Sequence, residues 1–388
     1  MHPALPWALL AAPAALPAAI TAINALTWAR GRPVTPAEGD PRVSILIPAR
    51  DEAATIEAAA RAALAGGAAV HEVIVYNDAS TDQTGEILAA LQATHPRLRV
   101  VDGDGLPDGW VGKPHACHRL AQEATGDLLL YLDADVTLAP EGLSRLLDLV
   151  ARPTARGDQP ALVTAVPQQV TGSLGERVLM PMLMLTYTSW LPLGLIPLSR
   201  DPRVLAANGQ VLLVRREALE AAGGWAAVRH EIVDDMAICR RVKETGRAVV
   251  FADGHHIARC RMYTSGAELW AGFSKNLYEG IGGHPIALAV VVALYLGCFV
   301  LPWVALPVAL IAGASTWATA AAVGVGLNLL TRLVLAERHE HSLVAVALHP
   351  VAVMGLLGVA VNSMRWSRRG AIAWAGRTYA ARAQRGAP

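Results

Sequence analysis

Two aspartates one residue apart close the stretch Leu128-Leu-Leu-Tyr-Leu-Asp-Ala-Asp-Val136. The five mostly apolar residues before them read as a buried strand. Side chains alternate along a strand, so Asp133 and Asp135 point the same way. Both carboxylates therefore reach one point at the strand's carboxyl end, where open α/β sheets bind ligands. Mg2+ is commonly held by one or two carboxylates plus substrate phosphates. The chemistry this spacing suits is a metal–diphosphate site. The plain alternative is a strand that ends in a polar turn.

Two further acidic pairs follow expected strands. Asp51 and Glu52 close Pro48-Ala-Arg-Asp-Glu52, and Asp78 and Asp82 lie in Val75-Tyr-Asn-Asp-Ala-Ser-Thr-Asp-Gln-Thr84. Clustered carboxylates repel unless a cation or hydrogen-bond donors hold them. Asp82 is better read as a helix cap, with Thr84 nearby. Lys113 ends the Gly/Pro-rich loop Leu106-Pro-Asp-Gly-Trp-Val-Gly-Lys-Pro-His-Ala116 at a helix start. A helix start favours anions, so Lys113 suits a diphosphate; the alternative is an ordinary exposed lysine. His115 and His118 flank Cys117 with no second ligand pair, which disfavours a metal there. Asp234 and Asp235 open a helix that ends at Gly246. Acids favour first helical turns, and a general base aimed into a cleft also fits; helix placement leaves both readings open.

The elements that must position these residues alternate. Strands are expected at 43–48, 72–77, 98–101, 128–132 and 161–166, and helices at 53–65, 82–93, 113–124 and 143–151. That order predicts a mostly parallel sheet with helices on both faces. No Gly-x-Gly-x-x-Gly follows the first strand, so the dinucleotide-binding fingerprint is absent.

The 388 residues are 53% hydrophobic and 17% charged, too apolar for an ordinary soluble enzyme. The excess is segregated: residues 4–29, 285–331 and 343–364 carry no charged side chain. Each reaches the length of about 20 residues that a membrane span needs. The expected organisation is an anchor over 1–30, a catalytic domain over 40–280, a C-terminal transmembrane region over 285–364 and a basic tail over 365–388. The first apolar stretch lacks a basic leader, and Arg30, Arg32 and Arg42 follow it. This favours a retained anchor in the cytoplasmic (inner) membrane, with the domain on the cytoplasmic side. Two spans fit in 285–335 and a third in 343–364. Positive-inside bias wants the tail (Arg365, Arg368, Arg369, Arg377, Arg382, Arg385) in the cytoplasm, which needs an even count. The apolar run 176–199 either crosses the membrane or lies along its surface. It must lie along it if the motifs on its two sides build one site. A net charge of +1 gives no case for nucleic acid, and four cysteines without paired metal spacing suit a reducing compartment.

Taken in order, Pro48-Ala-Arg-Asp-Glu52, Asn77-Asp-Ala-Ser-Thr-Asp82, Gly112-Lys113, Asp133-Ala-Asp135, Asn208-Gly209 and Asp234-Asp235 with Arg241 resemble the family 2 glycosyltransferases of the GT-A fold. The likeness covers about residues 43–280. It implies an α/β fold: a mixed, mostly parallel nucleotide-sugar-binding sheet flanked by helices, here with N- and C-terminal transmembrane helices. It implies Pro48, Arg50, Glu52, Asp78, Lys113 and Asp133 on the nucleotide sugar, with Asp78 reading a uridine base. It implies Mg2+ or Mn2+ on Asp133 and Asp135. It implies Asp235 as the base with Asp234 beside it, although Glu-Asp is more usual there than Asp-Asp. Asn208-Gly-Gln-Val-Leu-Leu-Val-Arg-Arg-Glu217, Gly223-Gly-Trp225, Arg261-Met-Tyr263 and Glu268-Leu-Trp-Ala-Gly-Phe-Ser-Lys-Asn276 resemble membrane-bound carotenoid glycosyltransferases of the hydroxychlorobactene and diaponeurosporenoate type. These move glucose onto a carotenoid hydroxyl or carboxyl. That likeness puts Asn208, Gly209, Trp270 and Lys275 on the acceptor side. The Gln-x-x-Arg-Trp motif of processive synthases is absent, which argues against chain elongation.

The expected reaction is an inverting, metal-dependent transfer of one sugar, glucose, from a UDP-sugar to a membrane lipid. A carotenoid comes first as acceptor, and a sphingolipid, hopanoid or polyprenol-type lipid second. A transporter is the rival of another class, and too few charges lie inside the apolar segments to mark a pathway. A non-catalytic nucleotide-binding protein would lack the base, yet Asp235 is present.

Overall fold

The computed structural model describes residues 4–35 and 41–369 and the backbone of Ile372–Trp374 and Arg377–Tyr379. Arg382 and Arg385 of the basic tail lie outside the described residues. The strands are β1 (Val43–Ala49), β2 (Val70–Asn77), β3 (Leu98–Asp102), β4 (Leu128–Leu132), β5 (Val136–Leu138), β6 (Pro160–Gln169), β7 (Val211–Arg215) and β8 (Ala248–Cys260). They form one sheet in the order β3-β2-β1-β4-β7-β6-β8-β5. The pairs β1–β2, β1–β4, β2–β3 and β6–β8 are parallel, and β4–β7, β6–β7 and β5–β8 are antiparallel. The sheet is therefore mixed, with its parallel half where the sequence alternates strand and helix.

Helices cover both faces. They are α1 (Trp7–Thr27), α2 (Ile56–Leu64), α3 (Thr84–Thr94), α4 (Gly112–Glu123), α5 (Gly142–Ala151), α6 (Leu174–Leu179), α7 (Pro181–Trp190), α8 (Arg216–Ala221), α9 (Asp234–Glu244), α10 (Gly266–Gly280), α11 (Pro285–Ile311), α12 (Ser315–His339), α13 (Leu343–Ala347) and α14 (His349–Arg369). Strand alternation sends Ile45 and Ile47 to a core with α2, α3 and α5, and Leu46 to a second core with α4, α7, α8 and α9. Buried Ile56, Ala59, Ala60, Ala63 and Leu64 of α2 recur at the spacing of one helical face. Residues 53–55, expected as helix, are a turn, because the Ala53 amide donates to Asp82 (3.0 Å) and the Glu52 amide to Thr84 (2.8 Å).

Three helices, α1, α11 and α12, are long and apolar enough to cross a membrane. The end of α1 and the helix α12 join the sheet at β8. The Trp28 indole donates to Phe251 O (3.0 Å), Ala29 bridges to Ala252, and buried Asp253 pairs with Arg30 and Arg338, both at 2.9 Å. The stretch 343–364 is not among the three. It breaks at Leu348 into α13 and α14, and α14 braces α10 through Asn362–Ser274 (3.0 Å), Tyr278–Ser363 (2.9 Å) and Ser367–Glu279 (2.6 Å). The run 176–199 folds as the end of α6, α7 and a short turn. The longest of these has 10 residues, half of what a span needs.

Candidate active site

The first two parallel strands end in backbone turns braced by side-chain hydrogen bonds. Asp51 and Ala79 sit at φ 55° and 51°, a left-handed region that disfavours side chains. Thr81 N donates to Asp51 Oδ1 (2.7 Å), the Asp51 amide to Ser80 Oγ (3.0 Å), and Arg50 Nη1 to Asp78 O (2.5 Å). Arg50 thus ties the β1 exit to the β2 exit. Asp82 accepts from Thr84 N (2.9 Å) and Ala53 N (3.0 Å), the capping role its position suggests. Buried Asp78 faces His115, which packs edge-on against Tyr76 and Trp110, while His118 lies on Trp110. The two histidines belong to this aromatic wall.

Lys113 is the centre of the cluster. As the second residue of α4, it reaches Asp133 Oδ1 at 2.5 Å and Gly209 O at 3.4 Å. Burial works against its charge, but the pull of Asp133 and Asp234 outweighs it and holds the ammonium above the ordinary lysine range. Gly209 lies so close that a Cβ there would stand 3.2 Å from both Lys113 Nζ and Asp235 Cβ. The acid pair opens α9, with Asp234 buried and its Oδ2 lacking a hydrogen-bond partner. Burial raises both carboxyls, and Lys113 opposes the rise. Lys275 of α10 completes the group. Burial and the nearness of Lys113 bring it down to about 8, while Asp234 and Asp133 pull the other way.

Asp135 stands beside a cleft of about 230 Å³ that Thr55, Cys260, Arg259 and Arg261 also line. Burial and the Asp133 charge push it up to about 6. Burial, with Asp135 and Asp133 close by, pushes Glu52 up to about 7 against a hydrogen bond from Thr55 (2.9 Å). Among the described residues no group of three or more His, Cys, Asp and Glu stands ready to hold a cation alone. The donor set fits one that shares its ligands with a diphosphate. Asp133 and Asp135 offer oxygen, Asp135 Oδ1 is buried without a hydrogen-bond partner, and burial together with the neighbouring acids raises Asp135 and Glu52.

The fold brings Glu52, Lys113, Asp133, Asp135, Gly209, Asp234, Asp235 and Lys275 into mutual electrostatic or direct contact. Asn208 is buried, exchanging hydrogen bonds with Thr164 (2.6 and 3.0 Å), and shapes the loop that carries Gly209. Pro48 pairs in register with Tyr76 at the end of β1. Trp270 lies elsewhere, against Gly358 of α14, and Arg241 pairs with Glu244 at 3.4 Å. Tyr187, Gln210, Cys260 and Tyr263 carry no site role in the sequence reading, although Gln210 and Tyr263 stand in the stretches that resemble carotenoid glycosyltransferases. The Tyr187 hydroxyl donates to Ala207 O (3.1 Å) beside Asp235, and Tyr263 neighbours Asp135 and Cys260. Gln210 follows the Asn208-Gly209 motif directly, and that adjacency was the available signal. Chemically, the arrangement offers an ammonium and open carboxylate oxygens for a metal-bound diphosphate. Next to them it offers a buried acid pair that can take a proton.

A model of the Glycosyl transferase family 2 matches residues 44–222. The 4,4'-diaponeurosporenoate glycosyltransferase of Staphylococcus aureus strain USA300 is 25% identical over 343 residues, covering 87% of this chain and 88% of that protein. Its counterpart in strain MRSA252 is 26% identical over 349 residues. The solved mannosyltransferase of Pyrobaculum calidifontis, in complex with GDP-Man and Mn2+, shares the fold at a TM-score of 0.55 and 19% identity, covering 94% of this chain and 99% of that one. The family match opens at β1 and closes past α8, taking in Glu52, Asp78, Asp133 and Asp135, so residues 44–222 form a Glycosyl transferase family 2 domain.

Proposed function

We propose that this enzyme transfers a single glucose from UDP-glucose to a membrane lipid, a carotenoid, with inversion at the anomeric carbon. The observation that carries the reaction is the Lys113–Asp133 contact beside the buried Asp234–Asp235 pair, with only Gly209 between Lys113 and Asp235. A diphosphate end and a proton-accepting end thus adjoin across Gly209. The acceptor class rests on the relative named for 4,4'-diaponeurosporenoate, alike over 87% of this chain, and on the three helices apolar enough to cross a membrane.

Asp78, Arg50, Pro48 and Glu52 hold the nucleotide end at the exits of β1 and β2. Asp133 and Asp135 hold Mg2+ or Mn2+, which when bound neutralises charge on the diphosphate. Lys113 steadies the leaving diphosphate as charge develops. Asp235 accepts the proton of an acceptor hydroxyl as its oxygen attacks the anomeric carbon. The bond from that carbon to the diphosphate oxygen breaks on the opposite face, and its electron pair leaves with UDP. A carboxyl acceptor arrives ionised and needs no such proton transfer. Asn208 and Gly209 shape the acceptor side, Lys275 closes it from α10, and Trp270 steadies α10 on α14. The catalytic domain lies on the cytoplasmic face of the inner membrane, with α1 entering from outside and α11–α12 crossing and returning. This even count leaves α14, with Arg365, Arg368 and Arg369, on the domain's side.

The test supplies the purified protein with UDP-glucose and with GDP-mannose, each against carotenoid alcohols and acids, sphingolipids, hopanoids and polyprenols, and weighs the products by mass. A glucosylated carotenoid is expected. Product on the other lipids alone overturns the acceptor, and product from the GDP-sugar alone overturns the donor.

A further inference from the structure

Behind Asp135 lies a line of polar side chains, Gln210 and Cys260 buried and Gln169 half-buried. Gln169 Nε2 donates to Gln210 Oε1 at 2.8 Å, Gln210 Nε2 donates to Cys260 Sγ at 2.8 Å, and Cys260 and Asp135 line the same cleft. Cys260 is 1% exposed and Gln210 3%. Burying amide and thiol groups costs free energy unless each finds a partner, so an apolar side chain would serve the sheet alone as well. The line instead joins the ends of β6, β7 and β8 to the turn before β5. Register fixes its members: Cys260 faces Val136 on one side and Gln169 on the other.

The line ends on a carboxylate whose Oδ1 is buried and lacks a hydrogen-bond partner. A carboxylate steadied through one oxygen and open at the other is an aimed ligand, because partners behind a metal ligand set its direction.

We propose that Cys260 is a positioning residue for the donor's metal: its S–H, aligned by Gln210 and Gln169, fixes the rotamer in which Asp135 presents its free oxygen to the cation, and its sulfur is not a ligand. The inference rests on the reading of Asp133 and Asp135 as the metal site.

The experiment measures Mn2+ binding to the purified full-length protein in the presence of UDP, by the paramagnetic resonance of free Mn2+. It compares wild type with Cys260→Ala, Cys260→Ser, Gln210→Met and Asp135→Asn, and checks each by thermal unfolding. Cys260→Ala is expected to weaken Mn2+ by about 10- to 100-fold. Cys260→Ser, which keeps a donor, should stay within about threefold of wild type, and Gln210→Met should fall between the two. Wild-type Mn2+ affinity in both Cys260→Ala and Gln210→Met overturns the proposal. So does Cys260→Ser as weak as Cys260→Ala, and so does a thiolate charge-transfer band when Co2+ replaces Mn2+, which would make Cys260 a ligand. If Asp135→Asn binds Mn2+ as wild type does, the metal site itself is misassigned and the inference falls with it. Loss in Asp135→Asn with no loss in Cys260→Ala separates the two failures.

Discussion

Asp235 reaches Gly209 from a helix start, where an acid has two unlike uses. A first-turn acid that serves only the dipole sits in solvent, whereas Asp235 lies against Gly209 and under the pull of Lys113. Asp235→Asn is therefore expected to abolish transfer to hydroxyl acceptors while leaving UDP-sugar binding intact, as calorimetry alongside turnover would show. Wild-type turnover removes Asp235 from the mechanism. Acidity follows the same logic. Burial raises Asp234 to about 6 and Asp235 in the same direction, so the pair takes up a proton as pH falls and the base is lost. Turnover should drop as the pair takes up its proton on lowering the pH, and a profile that stays flat into the ordinary carboxylate range contradicts this. At this scale the sequence was most readable where spacing alone aims a side chain, as with Asp133 and Asp135. It was silent on Cys260, because a single cysteine closing an apolar strand looks like core until the fold sets Asp135 beside it.

Among the elements, the strands and helices of the parallel half follow from their apolar periods, and observed ends depart from expected ones by a few residues. The departures have local causes, such as the Asp82 and Thr84 bonds that delay α2. The antiparallel insertion of β7 between β4 and β6 was not legible, since pairing partners far apart in sequence leave no periodic trace. Two elements carry predictions. Gly209→Ala places a Cβ 3.2 Å from Lys113 Nζ and should lower turnover by about tenfold or more with little change in melting temperature. Undiminished turnover means that the loop has room to yield. Glu176, fully buried, closes a capping box with Ser173 at the start of α6 and meets Arg261 at 3.5 Å. Although burial opposes it, the bonds from Ser173 and Gly172 hold its carboxyl down at about 2. The stability this gives is present above the ordinary glutamate value and fades as pH falls toward 2. Ser173→Ala should cost about 1 kcal/mol, read as a lower melting temperature.

At the scale of the whole molecule, the apolar segments announce a membrane protein, but how they meet the sheet had to be seen. Asp253 is the joint: one carboxylate, 1% exposed, takes Arg30 from beyond α1 and Arg338 from α12. Its neighbours His339, Arg338 and Arg30 outweigh burial and keep its carboxyl below the usual range. Asp253→Asn leaves two cations without their counter-charge and should destabilise the protein by about 3 kcal/mol. Thermal unfolding in detergent checks this, and an unchanged midpoint means that the helices are held by other contacts. The joint has a further consequence. With Ala29 stitched to Ala252 and Asp253 clamped on both sides, the cleft is bolted at a set height over the bilayer and cannot swing out to fetch its acceptor. The lipid acceptor proposed above would have to come to it by drifting in the plane of the membrane. Catalysis should therefore obey two-dimensional kinetics: adding inert lipid at constant total acceptor thins the crowd around each enzyme and slows it, although nothing in the test tube has been diluted.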